Sequence, residues 1–113
     1  EELHTATGID PWFLDQIQLI NTVAAEVAEA SDLSKEIVAY AKQHGLSDIQ
    51  IGSLRGVTEA EIRQLRHDWD LRPVFKTVDT CAGEFPALTP YHYSSYDQVS
   101  EVVPSDRKKV VIL

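Results

Sequence analysis

Apolar residues recur every three or four positions from Phe13 to about Trp69, after which the pattern changes to alternation interrupted by prolines. Three- and four-residue spacing keeps side chains on one face of a helix, whereas alternation assigns them to the two faces of a strand. The first part therefore reads as four helical segments, and the second as an extended stretch.

The opening segment has a defined start, because Asp10 can cap exposed backbone N–H groups while Pro11 occupies the first turn. Phe13, Ile17, Ile20, Ala24 and Val27 then form one apolar stripe. A second helix starts at Ser34, turns Ile37, Val38 and Ala41 inward, and stops at Gly45, which can adopt the left-handed closing conformation. Ser47 with Gln50 and Thr58 with Glu61 are capping boxes, so two short helices follow closely. Arg72-Pro73 ends helical structure, since the residue before a proline is driven toward extended geometry. Val74 to Asp79 alternates and is rich in β-branched residues, as a short strand or strap would be. Thr80 to Tyr96 is irregular and aromatic. The expected fold is mainly α: a small bundle of about four to five helices, then an aromatic-rich C-terminal strap. Val110 to Leu113 reads as a truncated terminal strand, the opening of an α/β domain of the kind that runs into a glycine-rich loop. On this reading the chain is a piece of a longer protein.

A length of 113 residues allows one core, and 43% hydrophobic with 25% charged residues is ordinary globular usage. The net charge of −8 disfavours nucleic acid and anionic membrane as partners. The single cysteine, Cys81, excludes an internal disulfide and suits a reducing, cytoplasmic setting. No apolar run approaches the roughly 20 residues that span a bilayer, and the Glu1-Glu2-Leu3-His4 start has no export signature.

Gly52, Gly56, Val57, Ile62 and Leu65 match the small, turn-glycine and apolar positions of a helix-turn-helix, making a DNA-binding regulator built on residues 47–71 the alternative reading. The charges favour a plain helical hairpin instead. The recognition helix would start on Glu59 and Glu61 and run to Asp68 and Asp70, with Arg55, Arg63, Arg66 and Arg72 only balancing them. His4, His44, His67 and His92 lack metal-ligand spacing. Cys81 has no neighbouring base or cation cluster in sequence and reads as a small packed side chain. Asp79 and Glu84 suit backbone hydrogen bonding in an irregular segment better than paired-carboxylate chemistry. Tyr91, Tyr93 and Tyr96 read as a strap lying over a helical core.

The run Arg72-Pro73-Val74-Phe75-Lys76-Thr77-Val78-Asp79-Thr80-Cys81-Ala82-Gly83-Glu84-Phe85, followed by Thr89-Pro90-Tyr91-His92-Tyr93-Ser94-Ser95-Tyr96, resembles the centre of the carbamoyl-phosphate synthase large chain. Ile9-Asp10-Pro11-Trp12-Phe13-Leu14 and Lys108-Lys109-Val110-Val111-Ile112-Leu113 resemble the same family. The resemblance implies a non-catalytic helical linking and oligomerisation domain over residues 1–103, with its extended strap from about residue 72. Residues 104–113 then open the second ATP-using half. Pro73, Asp79, Thr80, Cys81, Glu84, Phe85, Tyr91, Tyr93 and Tyr96 are implied as structural positions of the family motif, and no catalytic, cofactor-binding or metal-binding residue is implied for this stretch. For the parent protein the resemblance implies a ligase using ATP and magnesium to make carbamoyl phosphate from bicarbonate and glutamine-derived ammonia, for arginine and pyrimidine synthesis. Implied partners are other domains of the same large chain, further large subunits and a glutaminase small subunit. Such self-association requires an exposed apolar patch, expected at Leu14, Leu19 and Val23 beside the main stripe.

Overall fold

The computed structural model describes residues 2–86 and 91–111. Among these residues are α1 (Glu2–Thr7), α2 (Pro11–Glu29), α3 (Lys35–Gln43), α4 (Asp48–Arg55), α5 (Glu59–Asp68), β1 (Val74–Val78) and β2 (Tyr91–Ser95). The protein is mainly helical, as its periodicity requires, and it divides into two compact units, Glu1–Arg72 and Pro73–Leu113.

In the first unit, local chemistry sets nearly every helix boundary. The Asp10 carboxylate accepts from the Trp12 N–H at 2.9 Å and Pro11 opens α2. Ser34 caps α3, and Gly45, at φ +87, lets the Leu46 N–H return to the Ala41 carbonyl at 3.0 Å. Both capping boxes form. Ser47 pairs with Gln50 and Thr58 with Glu61, and each cap hydroxyl accepts from the backbone three residues on. The short α1 escapes the periodicity because six residues are too few to show a stripe.

The core of this unit joins Val23 and Val27 of α2, Val38 and Ala41 of α3, Leu46, Ile51 of α4 and Ile62 of α5. Ala24, Leu33, Ile37, Val57, Trp69 and Leu71 pack around it. Only the second half of α2 takes part. Phe13, Ile17 and Ile20, on the stripe expected to face inward, remain 58%, 54% and 46% exposed. A helix of this length extends for about 28 Å, and the three following helices are too short to cover it. Val23 reverses in the other direction: expected beside an exposed patch, it is fully buried.

Arg55 ties the far end of α2 to α4. Its guanidinium donates to the carbonyls of Ala28 at 3.0 Å and Ala30 at 2.5 Å, with longer contacts to Val27 and Ser31. A cation there satisfies carbonyls that have no helical partner and opposes the negative end of the helix dipole. Arg55→Ala is expected to lower the stability of this unit by about 1–2 kcal/mol. Urea denaturation checks it, and a change within about 0.3 kcal/mol would leave these contacts without energetic weight.

In the second unit β1 and β2 pair antiparallel, with Val74 opposite Ser95, Lys76 opposite Tyr93 and Val78 opposite Tyr91. The other edge of β1 is also occupied: the Glu101 N–H donates to the Phe75 carbonyl at 2.8 Å, and the Thr77 N–H donates to the Glu101 carboxylate at 2.8 Å. Lys76 Nζ reaches the same carboxylate at 2.7 Å. That ion pair, with the Thr77 N–H behind it, holds the Glu101 carboxyl below its ordinary range, and Glu101 in turn raises Lys76. A β edge protected in this way has few free backbone groups to offer another strand.

The segment expected as an extended strap pairs as a hairpin, β1 with β2, within the second unit. Tyr91 and Tyr93 are 67% and 51% exposed, and only Tyr96 is half-buried. Pairing with β1 satisfies their backbone while their rings stay largely uncovered. Val110 and Val111 are exposed and outside any strand. The motif positions Thr89, Pro90, Ile112 and Leu113 lie outside the described residues.

Candidate interaction surface

The expected motif residues fall into two places on the second unit. In the turn after β1, the Asp79 carboxylate accepts from the Cys81 N–H at 3.0 Å and the Glu84 N–H donates to the Cys81 carbonyl at 2.9 Å. Ala82 and Gly83 complete the reversal at φ +52 and +75. Thr80 Oγ1 lies 3.8 Å from the half-buried Cys81 sulfur. The Asp79 carboxylate thus holds the backbone of this turn. Pro73 stands exposed before β1, Phe85 is 70% exposed, and the tyrosines belong to β2 and its end. The turn and the strand do not bring these side chains into one cluster.

No group of three or more histidine, cysteine, aspartate or glutamate side chains that could hold a metal ion occurs among the described residues. His4, His44 and His92 each face a local oxygen, on Ile9, Tyr40 and Thr77. Among the described residues no helix is long and apolar enough to cross a membrane.

The helix-turn-helix positions play structural parts. Gly52 lies at the α4–α5 crossing, where an added Cβ would stand 2.6 Å from the Val57 carbonyl oxygen, and Gly56 turns the corner at φ +68. Of the arginines counted against the local acids, Arg63 pairs with Glu59 one turn away, Arg55 holds the end of α2, and Arg66 is buried. The Glu61 carboxylate accepts from the Thr58 N–H and hydroxyl, both at 2.7 Å, which lowers its pKa. The start of α5 is acidic and its nearby cations are engaged, so this hairpin presents no phosphate-binding face.

Sequence spacing gives no sign of the ion cluster beneath that hairpin. Asp48, at the start of α4, receives Arg66 of α5 in a two-point contact that includes Nε to Oδ1 at 2.9 Å, and Lys42 of α3 at 3.0 Å. Asp48 and Arg66 are 7% and 8% exposed. Burial pushes the Asp48 carboxyl up, but hydrogen bonds from Arg66 and Lys42, with their charges, outweigh it and leave the carboxyl below the usual aspartate range. The cluster clamps three helices. Its charges are turned inward, which makes it a structural element.

On the first unit, α2 carries an apolar face open to a partner. Trp12, Phe13, Ile17 and Ile20 lie along its first half with about half or more of their surface uncovered, and the Trp12 and Phe13 rings stack edge to face at 5.0 Å. Leu19, 38% exposed, borders them, and Leu14 is half-buried. The side chains foreseen for such a patch were Leu14, Leu19 and Val23, so the surface is displaced onto the main stripe itself. At its inner end the stripe meets a groove of about 550 Å³, lined by Ile20, Asn21, Ala24, His44, Gly45, Leu46, Gln50, Ser53 and Leu54. A contiguous apolar face on a helix that its own unit does not cover is the usual mark of a docking surface.

Residues 1–70 match the family model described as carbamoyl-phosphate synthetase large chain, oligomerisation domain. Over all 113 residues the chain is 63% identical to the carbamoyl phosphate synthase large chain of Clavibacter michiganensis subsp. michiganensis. It is 56% identical to that of Beutenbergia cavernae and 55% identical to that of Streptomyces avermitilis, again over the whole chain. In each case it spans 10% of the relative's length.

Proposed function

The chain belongs to the oligomerisation-domain family of the carbamoyl-phosphate synthetase large chain, and from this premise we propose that it is the association element of such an enzyme, joining its surroundings through the uncovered face of α2. Residues 1–103 serve as the linking domain, with residues 104–113 leading into the following ATP-using half. Other regions of the parent supply the chemistry: ATP with magnesium, bicarbonate, and ammonia released from glutamine by a small glutaminase subunit. The product is carbamoyl phosphate, for arginine and pyrimidine synthesis in the cytoplasm. Partners of this chain are the neighbouring domains of its own large chain and further large subunits.

The observation that carries the reading is the run of four large apolar side chains on a helix anchored by its other half in the core. Burying them elsewhere is favourable by about 25 cal/mol for each Å² removed from water. A paired substitution, Phe13→Glu with Ile17→Glu, places charge on that face without entering the core. In the large chain it is expected to loosen this domain, seen as faster proteolysis near α2, and as dissociation in sedimentation velocity where a second subunit covers the face. The isolated 113-residue chain should keep its helical circular dichroism. Unchanged proteolysis and unchanged sedimentation together would rule out α2 as the association surface.

A further inference from the structure

We infer that the occupant of the α2 face is an amphipathic helix from elsewhere in the same large chain, and not the α2 of a second subunit. The inference rests on the association reading above and names the partner for that surface.

The shape calls for a helix. Phe13, Ile17, Ile20 and Ala24 follow one another by four, three and four residues, forming a ridge about 16 Å long at about 1.5 Å per residue. Three helical turns of apolar side chains lie along such a ridge, as when an amphipathic helix docks into a groove. Past Ile20 the ridge runs into the groove, where Leu46 and Leu54 stand opposite Ala24. No aspartate, glutamate, lysine or arginine lines that groove, where Asn21, His44, Gln50 and Ser53 stand among apolar residues, so the occupant's buried face is uncharged.

Charge argues against a second copy. Seven acidic residues and no lysine or arginine precede Lys35, and the whole chain carries −8. Within α2 the acids Asp15, Glu26 and Glu29 lie on the side away from the Phe13–Ile17–Ile20 stripe, so two apposed α2 helices would have no ion pair between them to fix a register.

Area points the same way. The uncovered parts of Trp12, Phe13, Ile17 and Ile20 amount to on the order of 400–500 Å², below the roughly 800 Å² per partner of a standard free-standing interface. A segment of the same polypeptide needs less, because tethering supplies an effective concentration in about the millimolar range before any contact forms.

The test is the reactivity of a thiol at the centre of the face. Ile17→Cys, in a Cys81→Ser background, is introduced into the 113-residue chain and into the large chain, and alkylation of the peptide carrying residue 17 is followed by mass spectrometry. Phe13→Cys serves as a second position. Both side chains are more than half exposed, so neither substitution empties the core. The large chain is labelled over a dilution series whose monomer fraction is read by sedimentation velocity. Labelling at least about tenfold slower in the large chain than in the 113-residue chain, and unchanged on dilution to monomer, is the expected result. Protection that disappears with dilution would assign the face to a second subunit, overturning this inference and leaving the association reading intact. Equal, fast labelling in the 113-residue chain and in the large chain at every concentration would overturn both.

Discussion

Asp48→Ala is expected to cost the helical unit about 3–5 kcal/mol, because it leaves the buried Arg66 and the largely covered Lys42 facing an empty site. Domains of this size have only about 5–15 kcal/mol in total, so the variant should melt on the order of 15 °C or more below the parent. Asp48→Asn keeps an acceptor for Arg66 and should lose less. The two also differ in pH response. Asp48 is held below the ordinary aspartate value in the folded protein, so its contribution is complete above the unfolded value of about 3.9 and fades as pH falls through the lower, folded value. The stability gap between the parent and Asp48→Asn should therefore be constant from about pH 7 to 5 and narrow as pH falls below about 4. Urea midpoints at several pH values measure this directly. If Asp48→Ala stayed within about 1 kcal/mol of the parent, the cluster would not be the clamp that its geometry describes.

Gly52→Ala sets two effects against each other. Alanine is the better helix former by about 1 kcal/mol, and Gly52 lies inside α4. Yet its Cβ would come within 2.6 Å of the Val57 carbonyl oxygen and 3.3 Å of the Thr58 carbonyl carbon, both backbone atoms. That backbone cannot readily yield, being held by Gly56 at φ +68 on one side and the Thr58 capping box on the other. Overpacking typically costs about 1–3 kcal/mol and more where rigid groups collide. The crossing should win, for a net loss of about 2 kcal/mol. A melting temperature above that of the parent would show that propensity decides and that α4 and α5 have room to separate.

Both sites separate what can be read along the chain from what cannot. The glycine at 52 and the turn glycine at 56 are recognisable because a close helix pair needs them at that spacing. The clamp is not, since Lys42, Asp48 and Arg66 belong to three different helices and no short-range pattern links residues 18 apart. The same holds for Arg55, which its sequence neighbours assign to balancing local acids, yet which spends its donors on carbonyls 24 to 28 residues back. The family resemblance, by contrast, is legible in full, because it depends on strings such as Val78-Asp79-Thr80-Cys81 and not on where those residues point.

Local chemistry within the chain settles the helix starts at Asp10, Ser34, Ser47 and Thr58, the reversals at Gly45 and Gly56, and the end of helical structure at Arg72-Pro73. Each depends on hydrogen bonds and backbone sterics spanning a few residues. Packing alone decides which part of an apolar stripe is covered. On α2 the spacing from Phe13 to Val27 is one continuous pattern, but coverage ends where α3, α4 and α5 run out, burying Val23 and Val27 and leaving Phe13, Ile17 and Ile20 for a partner. Periodicity reports which side chains share a face; whether anything lies against that face is fixed by the lengths and placement of other elements, which no local pattern encodes.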